Sequence, residues 1–273
     1  MTEAIARRDD PPVPLLMPVL LSFVAGYLDS YTYLSLFGLF AAQVTGSFVI
    51  AGAEFVTSDF GIAGKLIAIA AFVTAAAVTA AFCIAARDAQ RGVLPWMLGL
   101  EALLLAIFVG ILVFGPVVRD ARDWHGIVAG VFAAMAMGAQ SAVVRLLMKD
   151  IPQTNVMTGN VTQLGIAATE LIMARRRFDH IRHGDTAVRD FAHAGGRLVT
   201  VLAIAVGFLV GAATGALAFM ARSPPSLSSA RWRSGRWRVR SGTNAPHCER
   251  SEAIQKLVSR SWIASSPLRG SSQ

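Results

Sequence analysis

Cysteine, histidine and charge are all scarce in this chain. It has two cysteines and five histidines in 273 residues. Cys83 falls inside an apolar run and Cys248 in a polar stretch, so there is no disulfide framework. No HExxH or CxxC-type ligand spacing occurs, which leaves no metal site to assign. GxSxG, P-loop and dinucleotide fingerprints are missing as well, so neither an enzyme class nor a cofactor is indicated. Only 15% of residues are charged, where a soluble domain carries about 25%.

What the chain has instead is apolar residue in long blocks. Hydrophobic residues make up 54% and the mean hydropathy is +0.54. Long apolar blocks point to a polytopic membrane protein that has the lipid bilayer as its partner. Hydrocarbon offers no partner for open backbone groups, so the expected fold class is all-α, a transmembrane helical bundle. The alternation of a membrane barrel is missing. A net charge of +8 could suggest nucleic acid. However, the arginines gather at 175–197 and 222–250, outside the apolar blocks, as basic flanks of spans do. Nucleic acid is therefore not an expected partner.

The blocks give about seven candidate spans, near 14–36, 41–57, 62–86, 95–116, 125–148, 155–174 and 198–221. The first resembles a signal peptide after Arg7 and Arg8, but its apolar run continues into the second block, so it reads as an uncleaved span. If every block crosses, the N-terminal side carries Arg7, Arg8, Lys65, Arg119, Arg122, Arg175, Arg176, Arg177, Arg182, Arg189 and Arg197. The other side carries Arg87, Arg91, Arg145 and Lys149. That imbalance places the N-terminus in the cytoplasm and the 87–94 loop outside. The C-terminal segment conflicts with this, because its arginines would then emerge outside.

Two stretches repeat each other. "VTGSFVIAG" (44–52) lies over "MTGNVTQLG" (157–165), so that Thr45 meets Thr158 and Gly46 meets Gly159. Gly26 meets Gly138 with a one-residue slip, and "GKL" at 64–66 matches "GRL" at 196–198. The expected organisation is a cytoplasmic segment at 1–13, a membrane half at 14–116, a second at 117–221 and a tail at 222–273. The halves should be pseudo-symmetric and like-oriented, with the second lacking its last span. The tail turns abruptly to Ser, Arg and Trp, and its "HCERSEAIQ" looks like a translated intergenic repeat. A basic tail for lipid or RNA is one reading; a disordered read-through or frameshift product is favoured.

The polar residues inside the apolar blocks are the candidate ligand-binding set. Asp29 sits two-thirds along the first span, where a carboxylate costs about 2.5–3.5 kcal/mol and so faces a cavity or a partner. Its alternative is a structural hydrogen bond. Gln43, Ser47 and Glu54 share one helical face, as do Asn160, Gln163 and Glu170. Glycine-interrupted apolar segments at matching places in two halves point to a transporter site. The set is Asp29, Gln43, Thr45, Gly46, Ser47, Gln140, Thr154, Thr158, Gly159, Asn160 and Gln163, with both Thr-Gly pairs facing inward. Such residues also glue membrane helices together. Glu101 has no counterpart and reads as a face turned to other helices or to a subunit of a homo-oligomer.

Taken together, "GYLDSYTYLSLFGLFAAQVTGSFVIAG" and "GAQSAVVRLLMKDIPQTNVMTGNVTQLG" resemble the YoaK family, also called domain of unknown function 1275. Gly26, Asp29, Phe40, Thr45 and Gly46 match its first motif set, and Gly138, Gln140, Thr154, Thr158 and Gly159 its second. Ser47 and Gln153 depart from it. The resemblance covers about 14–221 and implies a bacterial inner-membrane location without an activity. The expected function is a transporter or channel-like protein for an unknown small solute. The alternative is a non-transporting scaffold whose polar seam packs helices, and no catalysis is expected.

Overall fold

The computed structural model describes residues 14–57, 61–88, 92–118, 120–148, 151–180 and 185–222. The 1–13 segment and the tail beyond 222 lie outside the described residues, and so does the site of any eighth helix. The described residues fold as seven helices: α1 (Leu16–Ser35), α2 (Val44–Thr57), α3 (Ile62–Asp88), α4 (Leu94–Phe114), α5 (Trp124–Leu147), α6 (Met157–His180) and α7 (Asp185–Arg222). Segments 62–86, 94–114, 124–147 and 191–222 are long and apolar enough to cross a membrane. Local chemistry marks their ends. Pro95 opens α4, where a missing N–H costs nothing, and Asp123 caps α5 by accepting the His125 N–H at 3.1 Å.

Small residues set the packing. Gly207, Gly211 and Gly215 lie one turn apart on α7 and press on the backbone of Val19, Phe23 and Tyr27 of α1. A Cβ at Gly211 or Gly215 would overlap a carbonyl oxygen of α1, and so would one at Gly26 against Phe208. The two backbones thus approach as closely as small-residue membrane interfaces allow. Residue numbers rise together along the contact, so α1 and α7 run parallel. Ser22 Oγ donates to the Ile204 carbonyl (2.9 Å) within the same seam. A second parallel pair, α3 and α5, repeats this arrangement: Gly64 meets Ile127, and Gly138 lies on the backbone of Phe72.

The directions of α1 and α5 correct the expected like orientation. Leu36 and Leu39, at the end of α1, pack on Gly126 and Gly130 at the start of α5. Gln140, near the end of α5, donates to the Leu21 carbonyl near the start of α1 (3.0 Å). The two helices are antiparallel. Consistently, Cys83, Val93 and Met97 cluster with Leu21, Met17, Val143 and Met148. The end of α3 and the start of α4 therefore sit beside the start of α1, not opposite it.

The short α2 explains the difference. Its 14 residues span only about 21 Å. After α1 the chain reverses through Phe37 (φ 55°) and Gly38 (φ 83°), a left-handed pair. Residues 39–43 then run back along α1 as coil as far as Asp29. From there α2 returns, and Ser47 Oγ bonds both the N–H (3.0 Å) and the carbonyl (2.9 Å) of Phe40 in the descending coil. At the far end of α2, Glu54 pairs with Lys65 at the start of α3 (2.7 Å). Lys65 Nζ also donates to the Phe37 carbonyl (3.1 Å). Both ends of this excursion thus lie on the side where α1 finishes. An apolar block whose first residues are coil reads in sequence like one continuous helix.

Candidate functional site

The site is built where α2 and α6 begin. A helix start leaves N–H groups without intrahelical acceptors, and inside a bundle they need other partners. Just ahead of α2, in the coil that leads into it, the acceptor is Asp29, which is 3% exposed. Its carboxylate accepts the N–H of Ala42 (2.6 Å) and of Gln43 (3.1 Å). Ahead of α6, side-chain amides instead tie the coil to α5 and to the helix itself. Gln140 Nε2 donates to Thr154 Oγ1 (2.7 Å), Asn155 Nδ2 donates to Ser141 Oγ, and Asn160 Nδ2 donates to the Gln153 carbonyl (2.7 Å). Thr154, Asn155, Gln140 and Asn160 are all buried.

Both helix starts border one cavity of about 470 Å³. Gln43, Val44 and Thr45 come from α2 and the coil before it, and Asn155, Val156, Met157 and Thr158 from the start of α6. Phe72 and Ala76 of α3 and Ser141 and Arg145 of α5 complete the wall. Arg145 lies in the last turn of α5, where its charge also complements the helix C-terminus. Among the described residues no carboxylate lines this space. Asn155 is 2% exposed and its Oδ1 has no hydrogen-bond partner.

The sequence-predicted residues divide among several places. Gln43, Thr45 and Thr158 line the shared cavity. Gly159, Asn160 and Gln163 line a different cavity, about 660 Å³, between α6 and α7 with His193, Arg197 and Thr200. Gly46 packs on the Phe40 ring, where a Cβ would come to 2.6 Å. Ser47 faces the coil, and Asp29, Gln140 and Thr154 are engaged in the hydrogen bonds given above. On α2, Ser47 holds Phe40 and Glu54 meets Lys65, which also donates to the Phe37 carbonyl, so both side chains turn to the 37–40 segment. On α6, Glu170 pairs with Arg197 at 3.1 Å near the surface.

Three cavity residues were not singled out in the sequence. Asn155 and Ser141 lie within the motif-bearing stretches and were legible as polar residues in apolar company. Arg145 was counted only as a flanking charge. The Gly207, Gly211 and Gly215 spacing was also in plain view.

A family model described as "Protein of unknown function (DUF1275)" matches residues 17–232. No curated protein and no solved structure matches the chain.

Proposed function

We propose that this chain, which belongs to the DUF1275 family and is a multi-pass helical membrane protein, carries a small solute through a polar site between two inverted repeats. The observation that carries the reading is the shared cavity: two helix starts, each reached through coil inside the bundle, border the same 470 Å³ space. Irregular backbone is tolerated at membrane depth where it is buried in protein or lines a wet cavity, and discontinuous helices are the usual makers of transporter sites.

Several features support an inverted repeat. Exchanging α1 with α5 and α3 with α7 turns the α1–α7 pair into the α5–α3 pair. Each of these seams is closed by the glycine of a matched set, Gly26 in one and Gly138 in the other. Asp29 holds residues 42 and 43, and Ser141 holds residue 155, at nearly equal separations along the chain. In this reading α1, α3, α4, α5 and α7 cross, while α2 and the first part of α6 are half-helices entering from opposite faces. The antiparallel α1 and α5 put the symmetry axis in the membrane plane.

The charges up to residue 222 favour a cytoplasmic start in this topology as they do with seven crossings, and the arginines after α7 conflict with both. Segments on the starting side of α1 carry Arg7, Arg8, Arg87, Arg91, Arg145, Lys149, Arg175, Arg176, Arg177, Arg182, Arg189 and Arg197. The other side carries Lys65, Arg119, Arg122 and Arg222. The starting side is then cytoplasmic.

A scaffold is the second reading, favoured by the structural hydrogen bonds that occupy Asp29, Gln140 and Thr154. Uptake by proteoliposomes over a panel of small anions, cations and neutral solutes separates the two. Flux above empty liposomes for at least one solute is expected, and none for any solute supports the scaffold.

A further inference from the structure

Resting on the inverted-repeat reading above, we infer that two acid–base pairs gate opposite ends of the solute path. Glu54–Lys65 is shut on the side where α1 finishes, Glu170–Arg197 is open on the side where α1 starts, and the two exchange states. Each pair joins a half-helix to the helix that follows it. Glu54 lies near the end of α2 and Lys65 at the start of α3, 2.7 Å apart. Glu170 lies in α6 and Arg197 in α7, 3.1 Å apart. "GKL" at 64–66 and "GRL" at 196–198 are matched segments of the repeat, so Lys65 and Arg197 are counterparts. When the Thr-Gly motifs are superposed, Glu170 falls within one helical turn of the position that answers Glu54.

The counterparts differ in state. The Lys65 and Glu54 side chains are 3% and 17% exposed, and Lys65 Nζ also donates to the Phe37 carbonyl (3.1 Å), which ties α2, α3 and the coil after α1 together. Arg197 and Glu170 are 52% and 41% exposed. Among the described residues, both Arg197 hydrogen bonds go to Glu170 and none to the coil after α5. The spaces beside the two pairs differ in the same sense. Phe37 and Leu39 of the coil after α1, with Gly64 and Lys65, border about 20 Å³, room for about one water. Pro152 and Gln153 of the coil after α5, with Gly196 and Arg197, border the 660 Å³ cavity. Gln153 and Val156 line that cavity and the shared one alike, so the wide mouth adjoins the centre. The small space has no described lining residue in common with it. Two mouths built from the same parts, one wide and one shut on opposite faces, are what alternating access by an inverted repeat requires. Closing the wide mouth brings Arg197 to a carbonyl of the coil after α5, as Lys65 meets Phe37.

Side-specific labelling of the full chain in membrane vesicles tests this without measuring transport. Thr158→Cys, in an otherwise cysteine-free background, puts one thiol on the shared cavity. A membrane-impermeant methanethiosulfonate should label it about tenfold faster or more from the starting side than from the far side. Glu54→Gln keeps an oxygen acceptor for Lys65 and removes the charge, so the shut gate loosens while the fold is spared. The far-side rate should then rise about tenfold and the starting-side rate should fall, because the mouths exchange. Glu170→Gln, at a pair already open, should leave the far side slow. Equal labelling from both sides before any gate is changed overturns the inference. So does a far-side rate that Glu54→Gln leaves unmoved, or one that Glu170→Gln raises as well. Solute flux in proteoliposomes, read on the same variants, separates this inference from the reading it rests on. A switch of accessible side without flux of any solute keeps the gates and sinks transport. Flux with the accessible side unmoved by Glu54→Gln keeps transport and sinks the gates.

Discussion

Replacing Asp29 separates a structural carboxylate from a proton-carrying one. Its oxygens accept the Ala42 N–H at 2.6 Å and the Gln43 N–H at 3.1 Å, at 3% exposure. Asp29→Ala leaves two buried donors unpaired, at about 1–3 kcal/mol each. Relief of the buried charge offsets part of this, since an ionised carboxylate is itself costly at membrane depth. A net loss of about 2–4 kcal/mol is expected, or roughly 5–15 °C in melting temperature for a chain of this size. Asp29→Asn keeps an oxygen acceptor and exchanges charge-assisted bonds for neutral ones, so its loss should be about 1–2 kcal/mol. The assay is thermal unfolding of purified protein in detergent, followed by tryptophan fluorescence. Any solute flux should fall with the folded fraction in both variants. The reasoning is refuted if Asp29→Ala melts like wild type. It is equally refuted if Asp29→Asn melts like wild type while flux disappears, because Asp29 would then be a coupling group and not the acceptor for the coil ahead of α2.

Gly211→Leu should abolish assembly of the α1–α7 seam and lower the yield of folded protein, because a side chain there overlaps the Phe23 carbonyl; Gly110→Ala, with nothing within 4 Å, should be silent in the same expression and melting assays. Lys65→Met removes the buried member of a pair whose Glu54 is partly exposed, and should cost about 1–3 kcal/mol in thermal unfolding. For topology, single cysteines in place of Gly92 and Gly195 should react with an impermeant thiol reagent from the same side of the membrane, and one in place of Asp120 from the other. Labelling of residues 92 and 195 from opposite sides would restore the seven-crossing arrangement.

The membrane class, the helix positions and the paired Thr-Gly motifs were legible because composition and repeat are properties of the sequence itself. The path of the chain through α2 was not. The turn that sends it back depends on Phe37 and Gly38 in left-handed backbone and on a carboxylate reaching 13 residues ahead. None of these leaves a periodicity. Asp29 drew attention as a charge in the membrane, and that signal was sound. Whether its partner is a ligand or a backbone depends on the reversal that the sequence hides. Lys65 shows the same limit: it counts as a flanking charge in sequence, yet it is 3% exposed and locks the coil to α3. The intervals of Gln43, Ser47 and Glu54 implied one polar face, but not that the segment running beside α2 is its partner, held by Ser47 directly and by Glu54 through Lys65.

The most direct test of two helix starts facing one cavity is cross-linking between cysteines in place of Thr45 and Thr158, in native membranes and an otherwise cysteine-free background. Both residues line the 470 Å³ cavity, so a homobifunctional thiol reagent about 10 Å long, roughly the width of a space of that volume, should join them within one chain. The joined product should resist separation after cleavage at a protease site placed in the segment between α4 and α5. If each single cysteine reacts readily but the double variant yields two separable fragments, the two starts do not share a cavity and the half-helix account is wrong.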